Sequence, residues 1–308
     1  MTKIKNIAVL GASGSTGVHI VQALIDASFI VTIVRRPSSS PAPPIISAHY
    51  KVADYDSISS LEAAFKDQDA VVESFNPAAA ASQNNILAAA VAAGVKHIIT
   101  PDFSSDTFNP HAAGLLIFEP KLKAQKELEA VAAEGKLTWT AIIPGAFYDW
   151  GINRGVFWIN KKSHTITVFG SGNQRVSMSS IAICGKATVE VLQDITRFKN
   201  RPAYFADYTV STNELESLVR EATSPQSWEV VHVSLSGFFD KALQMWEEDT
   251  KNGVVDRLNS AAYPMLGTYA LFHEDNRYGA DFSEMAEPGW TKSTDELKEE
   301  LKTILAAP

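Results

Sequence analysis

The stretch Leu10-Gly11-Ala12-Ser13-Gly14-Ser15-Thr16-Gly17 decides the fold of this chain. Before it, Ile4–Leu10 is a continuous apolar run, the pattern of a strand covered on both faces. After its first turn, Gly14–Ala27 has the spacing of a helix with Val18, Val21 and Ile25 on one side. In a strand-to-helix turn of this spacing each glycine has its own physical reason. Gly11 permits the tight turn, Gly14 lets the backbone approach a pyrophosphate, and Gly17 lets the helix pack closely on the sheet. The helix N-terminus then offers N–H groups and a partial positive charge to phosphates, and Ser13, Ser15 and Thr16 add hydroxyls. An ordinary Gly-rich turn is the plainer alternative, but position and spacing together favour a dinucleotide site. A P-loop is excluded, because the Gly-Lys-Ser/Thr ending is missing.

The second strand, Phe29–Val34, runs into Arg35-Arg36. At this point an NAD site places an acid on the ribose hydroxyls, whereas an NADP site uses arginine for the 2′-phosphate. A guanidinium meets phosphate in a bidentate fork, so the pair favours NADPH over NADH. Lys51, beyond the proline-rich Pro37–Pro44 loop, is a weaker candidate for the same phosphate. The plain reading of the arginines is a solvated pair at a strand end, and the glycine stretch tips the balance against it.

Outward from these motifs, the whole chain sets the class. It has 308 residues, 45% hydrophobic and 20% charged, enough for an ordinary core without disulfides or a structural metal. The lone Cys184 excludes a disulfide framework and fits a reducing compartment. The 27 Lys+Arg against 35 Asp+Glu give a formal charge of −8, which argues against a nucleic-acid or anionic-membrane partner. The N-terminus lacks the apolar region of a signal peptide, and no stretch approaches a membrane span of roughly 18 residues. The expectation is a cytoplasmic protein acting on a small molecule, as a monomer or homodimer.

Strand-like and helix-like segments alternate through the first half. Ala70–Phe75, Lys96–Thr100 and Leu137–Ile143 are expected strands, and Ser82–Ala93 and Glu119–Glu134 are expected helices. Ser59 with Glu62 suggests a capping box for a helix ending at Phe65. The fold class is therefore α/β, a doubly wound parallel sheet of the Rossmann type with a smaller C-terminal α+β substrate-binding part. Residues 1–150 are assigned to the nucleotide domain and 151–308 to the second part. Ser211 with Glu214 and Ser293 with Glu296 mark later helix starts. Pro202–Val210 and Trp228–Leu235 look like strands able to return to the sheet.

In open parallel sheets, ligands lie beyond the carboxyl ends of the strands. That selects Phe75-Asn76-Pro77, Pro101-Asp102-Phe103-Ser104-Ser105-Asp106 and Pro144-Gly145-Ala146-Phe147-Tyr148. Asn76, Phe103 and Pro144 join the expected cofactor contacts. None of the eight tyrosines has lysine four residues later, so the Tyr-x-x-x-Lys device of short-chain reductases is absent. Lys121 offers another proton donor. At 100° per residue it shares the stripe of Ala124, Leu128, Val131 and Ala132, whereas Lys123 and Lys126 point away. An amine on an apolar stripe near the top of the sheet is a candidate for a tuned pKa, the bland alternative being a snorkelling first-turn lysine. His19, His97 and His111 show no metal-ligand spacing, and no metal is expected. Asp102 and Asp106 are weaker acid/base candidates, since loop aspartates usually cap or turn. Phe103 with Phe147, Tyr148, Trp150, Phe157 and Trp158 is an expected substrate pocket, although such aromatics also plug interiors.

Three blocks of the chain resemble the NmrA-like and isoflavone reductase-like group of atypical short-chain dehydrogenase relatives. Gly11–Gly17 followed by Val34-Arg35-Arg36 looks like its NADPH site. Ala93-Gly94-Val95-Lys96-His97-Ile98-Ile99-Thr100-Pro101-Asp102-Phe103 is similar to its Ala-Gly-Val-Lys segment, and Phe118-Glu119-Pro120-Lys121 to the helix bearing its catalytic lysine. The resemblance covers residues 4–150 well and the rest loosely. It implies an NADPH-dependent reductase of a small aromatic or conjugated metabolite in which Lys121, also a cofactor contact, is the general acid/base. Two alternatives stand beside it: a non-catalytic NADP-sensing regulator of the NmrA type, and an isomerase or cyclase that keeps the cofactor site as scaffold. The family's Ser-Glu-Phe-Gly is here Asp102-Phe103-Ser104-Ser105, so substrate identity does not transfer.

Overall fold

The apolar run before the glycines forms β1 (Asn6–Leu10), and the helical pattern after them forms α1 (Gly17–Asp26). They belong to a computed structural model that describes residues 3–39, 45–75 and 82–307. The chain then gives β2 (Ile30–Arg35), β3 (Ala48–Val52), α2 (Ile58–Phe65), β4 (Ala70–Glu73), α3 (Gln83–Ala92) and β5 (His97–Ile99). Further on come α4 (Glu119–Ala133) and β6 (Thr138–Ile143). A seven-stranded sheet runs in the order β6-β5-β4-β1-β2-β3, with strand Arg201–Tyr204 beyond β6. The registers from β6 to β3 are all parallel. The order reverses between β1 and β4, and the glycine stretch leaves β1 at that switch point, where open α/β sheets bind ligands.

The central strands are apolar and buried because helices cover both faces: Ile7, Ala8, Val9 and Leu10 have no exposed surface. Helix Ile183–Gln193 packs on α1, and Gly185 makes this approach feasible, since a Cβ there would lie 2.4 Å from the His19 carbonyl oxygen. Two local expectations are corrected. The N-cap of α2 is Ser57, which accepts from the Ser60 N–H, not Ser59. Of the two strands expected to return to the sheet, only Arg201–Tyr204 does so. Tyr208–Ser211 pairs antiparallel with Arg175–Ser179, and Glu229–Val233 pairs parallel with Thr165–Phe169.

The chain divides into two compact units that interleave in sequence. The first is Met1–Phe103 with Glu119–Ile143 and Ala182–Ala203; the second is Ser104–Phe118 with Pro144–Ile181 and Tyr204–Pro308. The second unit holds two three-stranded sheets and the helices Thr212–Thr223 and Thr294–Ala306. Both helices open on the expected capping boxes, Ser211 with Glu214 and Ser293 with Glu296. Among the described residues, no helix is long and apolar enough to cross a membrane.

Candidate functional site

The glycine loop is built so that side chains cannot enter it. Gly11 has φ +78°, and a Cβ there would lie 2.4 Å from the Ser74 carbonyl oxygen at the end of β4. A Cβ on Gly17 would lie 2.3 Å from the Gly11 carbonyl oxygen, so the first turn of α1 sits directly on the loop. The Gly14 N–H donates to the Gly11 carbonyl at 3.0 Å and closes the turn. The hydroxyls of Thr16 and Ser74 meet at 2.9 Å, tying α1 to the end of β4. Ser13, Gly14 and Ser15 remain exposed. A narrow loop, stripped of Cβ atoms where backbone approaches and opening a helix, fits a dinucleotide pyrophosphate.

Arg35 and Arg36 follow at the end of β2. The Arg35 guanidinium lies 4.5 Å from the Tyr50 ring centroid and that of Arg36 lies 6.0 Å from Tyr55. Each cation thus lies over an aromatic face near the strand end. Lys51 is not available in this way. Its Nζ donates to the Ala64 carbonyl at 2.9 Å and so caps the C-terminus of α2. Asn76 lies outside the described residues, as do residues 40–44 of the proline-rich loop.

Lys121 is 8% exposed in the first turns of α4, on the buried stripe with Ala124 and Leu128, while Lys123 and Lys126 are exposed. Its Nζ donates to the Asp102 carbonyl oxygen at 2.6 Å. Burial pushes the amine below the usual lysine value, and the Asp102 carboxylate works against that shift. Asp102 is itself 4% exposed and accepts from the Thr100 hydroxyl at 2.6 Å. Phe103, which follows, is buried.

Asp102 acts on a further acidic residue, one that the sequence reading passed over. Glu73, the last residue of β4, has no exposed surface. Gln83 Nε2 donates to its carboxylate oxygens at 3.1 and 3.3 Å. Burial holds the Glu73 carboxyl at about 8, with the Asp102 charge adding to the rise and the Gln83 hydrogen bonds opposing it. The available signal was a single acid inside the apolar run Ala70-Val-Val-Glu73-Ser-Phe75.

The other candidates have structural roles. Asp106 is buried, accepting from the Tyr204 hydroxyl at 3.1 Å and from the Phe108 N–H at 3.0 Å. His97 is buried with Nδ1 2.8 Å from the Thr138 hydroxyl, and burial lowers its pKa to about 3. Among the described residues, no group of His, Cys, Asp and Glu could hold a metal ion. In the second unit the Pro144 carbonyl accepts from the Ser179 hydroxyl at 2.9 Å. Tyr148 and Trp158 are packed in that unit's hydrophobic core rather than lining an open surface. The Tyr148 hydroxyl donates to Glu300, and Trp158 meets Phe272 edge to face at 5.6 Å. Phe147, Trp150 and Phe157 are partly exposed.

Comparison with known proteins agrees with this geometry. The pattern of a family described as NAD(P)H-binding matches residues 11–194. Oxidoreductase aprR of Aspergillus flavus is 32% identical over 283 residues, spanning 90% of this chain and 89% of that protein. Phenylcoumaran benzylic ether reductase Pyrc5 of Pyrus communis is 27% identical over 232 residues, 71% of this chain and 74% of its own. In fold, the chain is similar to AtPrR2 solved with NADP+ and (+)pinoresinol, at a TM-score of 0.75 over 99% of both chains and 18% identity. The chain belongs to the NAD(P)H-binding family, and its relative at 32% identity is an oxidoreductase.

Proposed function

We propose that this protein is an NADPH-dependent reductase of a small aromatic or conjugated metabolite, with Lys121 as general acid/base. The observation that carries the reading is the buried Lys121 amine, lowered in pKa and aimed by the Asp102 carbonyl at 2.6 Å. A structural lysine in a first helical turn would snorkel to water; this one is held inside. An amine with a lowered pKa exchanges protons near neutral pH far more readily than an exposed lysine.

Bound NADPH supplies a hydride. The glycine loop and the start of α1 hold its pyrophosphate, through Gly11, Ser13, Gly14, Ser15, Thr16 and Gly17. Arg35 and Arg36 would hold the 2′-phosphate, for which guanidinium donors are suited. Lys121 Nζ gives a proton to the substrate atom that gains charge, or takes one from a phenolic hydroxyl. Phe103 forms a wall at the end of the first unit. The other expected pocket residues, Phe147, Trp150 and Phe157, belong to the second unit, where they are partly exposed. The ether reductase of pear and the NADP+ and pinoresinol of the similar structure support an aromatic substrate and NADP.

NADPH consumption followed against a panel of enones, quinones and aryl ethers tests this reading, for the wild type and for Lys121→Ala. Turnover of at least one panel member that collapses in the variant is the expected result. Turnover unaffected by the substitution would overturn the mechanism.

A further inference from the structure

Glu73 ends β4 in register with Leu10, directly before the glycine loop, and is fully buried. A carboxyl group placed there needs partners, because an unpaired buried charge is strongly unfavourable. Gln83 provides two hydrogen bonds from α3. The titratable groups that face Glu73 from the surrounding elements are Tyr55, before α2, and Asp102, after β5. Asp102 also acts on the amine of Lys121 in α4.

Gln83 lines a cavity of about 10 Å³ together with Thr100, Asp102, Lys121 and Gln125. Its Oε1 is buried and has no hydrogen-bond partner. One water needs roughly 10–15 Å³ and two or more polar partners, so the space suits a single water donating to that oxygen. Asp102 and Lys121 thus line this small cavity, and Glu73 stands behind it, hydrogen-bonded to Gln83. While Glu73 keeps its proton, it adds no charge behind Gln83. An ionised Glu73 adds a second negative charge and tightens the hold of Lys121 on its own proton.

We propose that Glu73 is a positioning residue for the reaction, a buried acid whose protonation state sets how tightly Lys121 holds its proton, acting through Gln83, Asp102 and one water in the cavity between them. The inference rests on Lys121 as the acid/base, but its test does not require turnover.

The test is an NMR titration of the Lys121 side-chain Cε and Nζ resonances in NADP+-saturated protein, assigned with Lys121→Arg. In the wild type, Lys121 is expected to show an extra inflection near pH 8, where Glu73 ionises. In Glu73→Gln, an uncharged isostere, that inflection disappears and the Lys121 titration moves down by about one pH unit. Glu73→Asp restores the extra inflection, which a merely structural role would not do. Identical Lys121 titrations in wild type and Glu73→Gln, at unchanged melting temperature, overturn the proposal.

Should Glu73→Gln fail to fold, infrared difference spectra of the wild type decide instead. A protonated-carboxyl stretch lost in step with the Lys121 inflection supports the coupling; no such band at pH 7, or loss without a Lys121 response, overturns it. If Lys121→Ala leaves turnover intact while the titrations couple, the proposed function fails and this inference stands. Loss of turnover with uncoupled titrations gives the reverse.

Discussion

Lys121 Nζ donates to the main-chain carbonyl of Asp102 at 2.6 Å, from a side chain only 8% exposed. A carbonyl acceptor fixes the direction of the amine without fixing its charge, because it accepts from ammonium and neutral amine alike. The proton is then free to move in the reaction while the nitrogen stays in place. Lys121→Ala is therefore expected to lower kcat by about 100- to 10,000-fold, the usual range for losing a positioned acid/base. NADPH affinity, measured by fluorescence titration, should stay within a few-fold of wild type. Lys121→Arg should be nearly as inactive, since guanidinium keeps its proton at any working pH.

The two arginines make a separate prediction about cofactor choice. A hydrogen bond to a charged group contributes about 1.5–3 kcal/mol, equivalent to about 10- to 150-fold in affinity. Arg35→Ala with Arg36→Ala should weaken NADPH binding by at least that factor and leave NADH almost unchanged. Isothermal titration with both cofactors measures the difference. Equal losses for the two would show that the pair serves the strand end, stacking on Tyr50 and Tyr55, rather than the 2′-phosphate.

Two glycines with different surroundings separate loop geometry from simple backbone strain. Gly17→Ala places a Cβ 2.3 Å from the Gly11 carbonyl oxygen, so the loop backbone must move. The expected result is loss of measurable cofactor binding and destabilisation of about 1–3 kcal/mol, the range for overpacked sites. Gly94→Ala meets nothing within 4 Å, but its φ of +75° is disfavoured for alanine. It should cost about 1 kcal/mol and leave cofactor binding intact. Urea unfolding beside NADPH titration distinguishes the two effects.

What was legible in the sequence follows from how local each cause is. The glycine loop, β1, α1 and the buried face of Lys121 depend on spacings within a few residues, and the helical stripe of α4 placed Lys121 correctly against Lys123 and Lys126. β3 escaped notice because its residues Ala-His-Tyr-Lys-Val lie on an edge and show no apolar periodicity. The return of Arg201–Tyr204 to the sheet, but not of Glu229–Val233, is set by long-range pairing that no local pattern encodes. Tyr148 and Trp158 looked like pocket residues for the same reason. Aromatic residues near a strand end fill cores as readily as they line clefts, and only the packing partners Glu300 and Phe272, far away in sequence, decide. Glu73 was hidden by the opposite error, a polar residue absorbed into an apolar run.

His97 and Glu73 lie at opposite ends of their strands and give the stability of the protein opposite pH responses. His97 titrates at about 3 in the fold against 6.5 when free, so the unfolded chain binds more protons between these values. Its contribution is complete above about pH 6.5 and is lost as pH falls toward 3. Glu73 is raised from 4.5 to about 8, so the folded state binds more protons between these values, and stability falls as pH rises from 4.5 through 8. In His97→Gln the acid-side loss should shrink by about 2 kcal/mol at pH 5, since 1.5 pH units at 1.36 kcal/mol each separate pH 5 from the unfolded histidine pKa. In Glu73→Gln the loss that accrues between pH 4.5 and about 8 should disappear instead. Urea unfolding of both variants at pH 5, 7 and 9 checks the signs; a loss on raising the pH that Glu73→Gln leaves unchanged, or a loss on lowering it that His97→Gln leaves unchanged, would contradict the assignment of each group to its window.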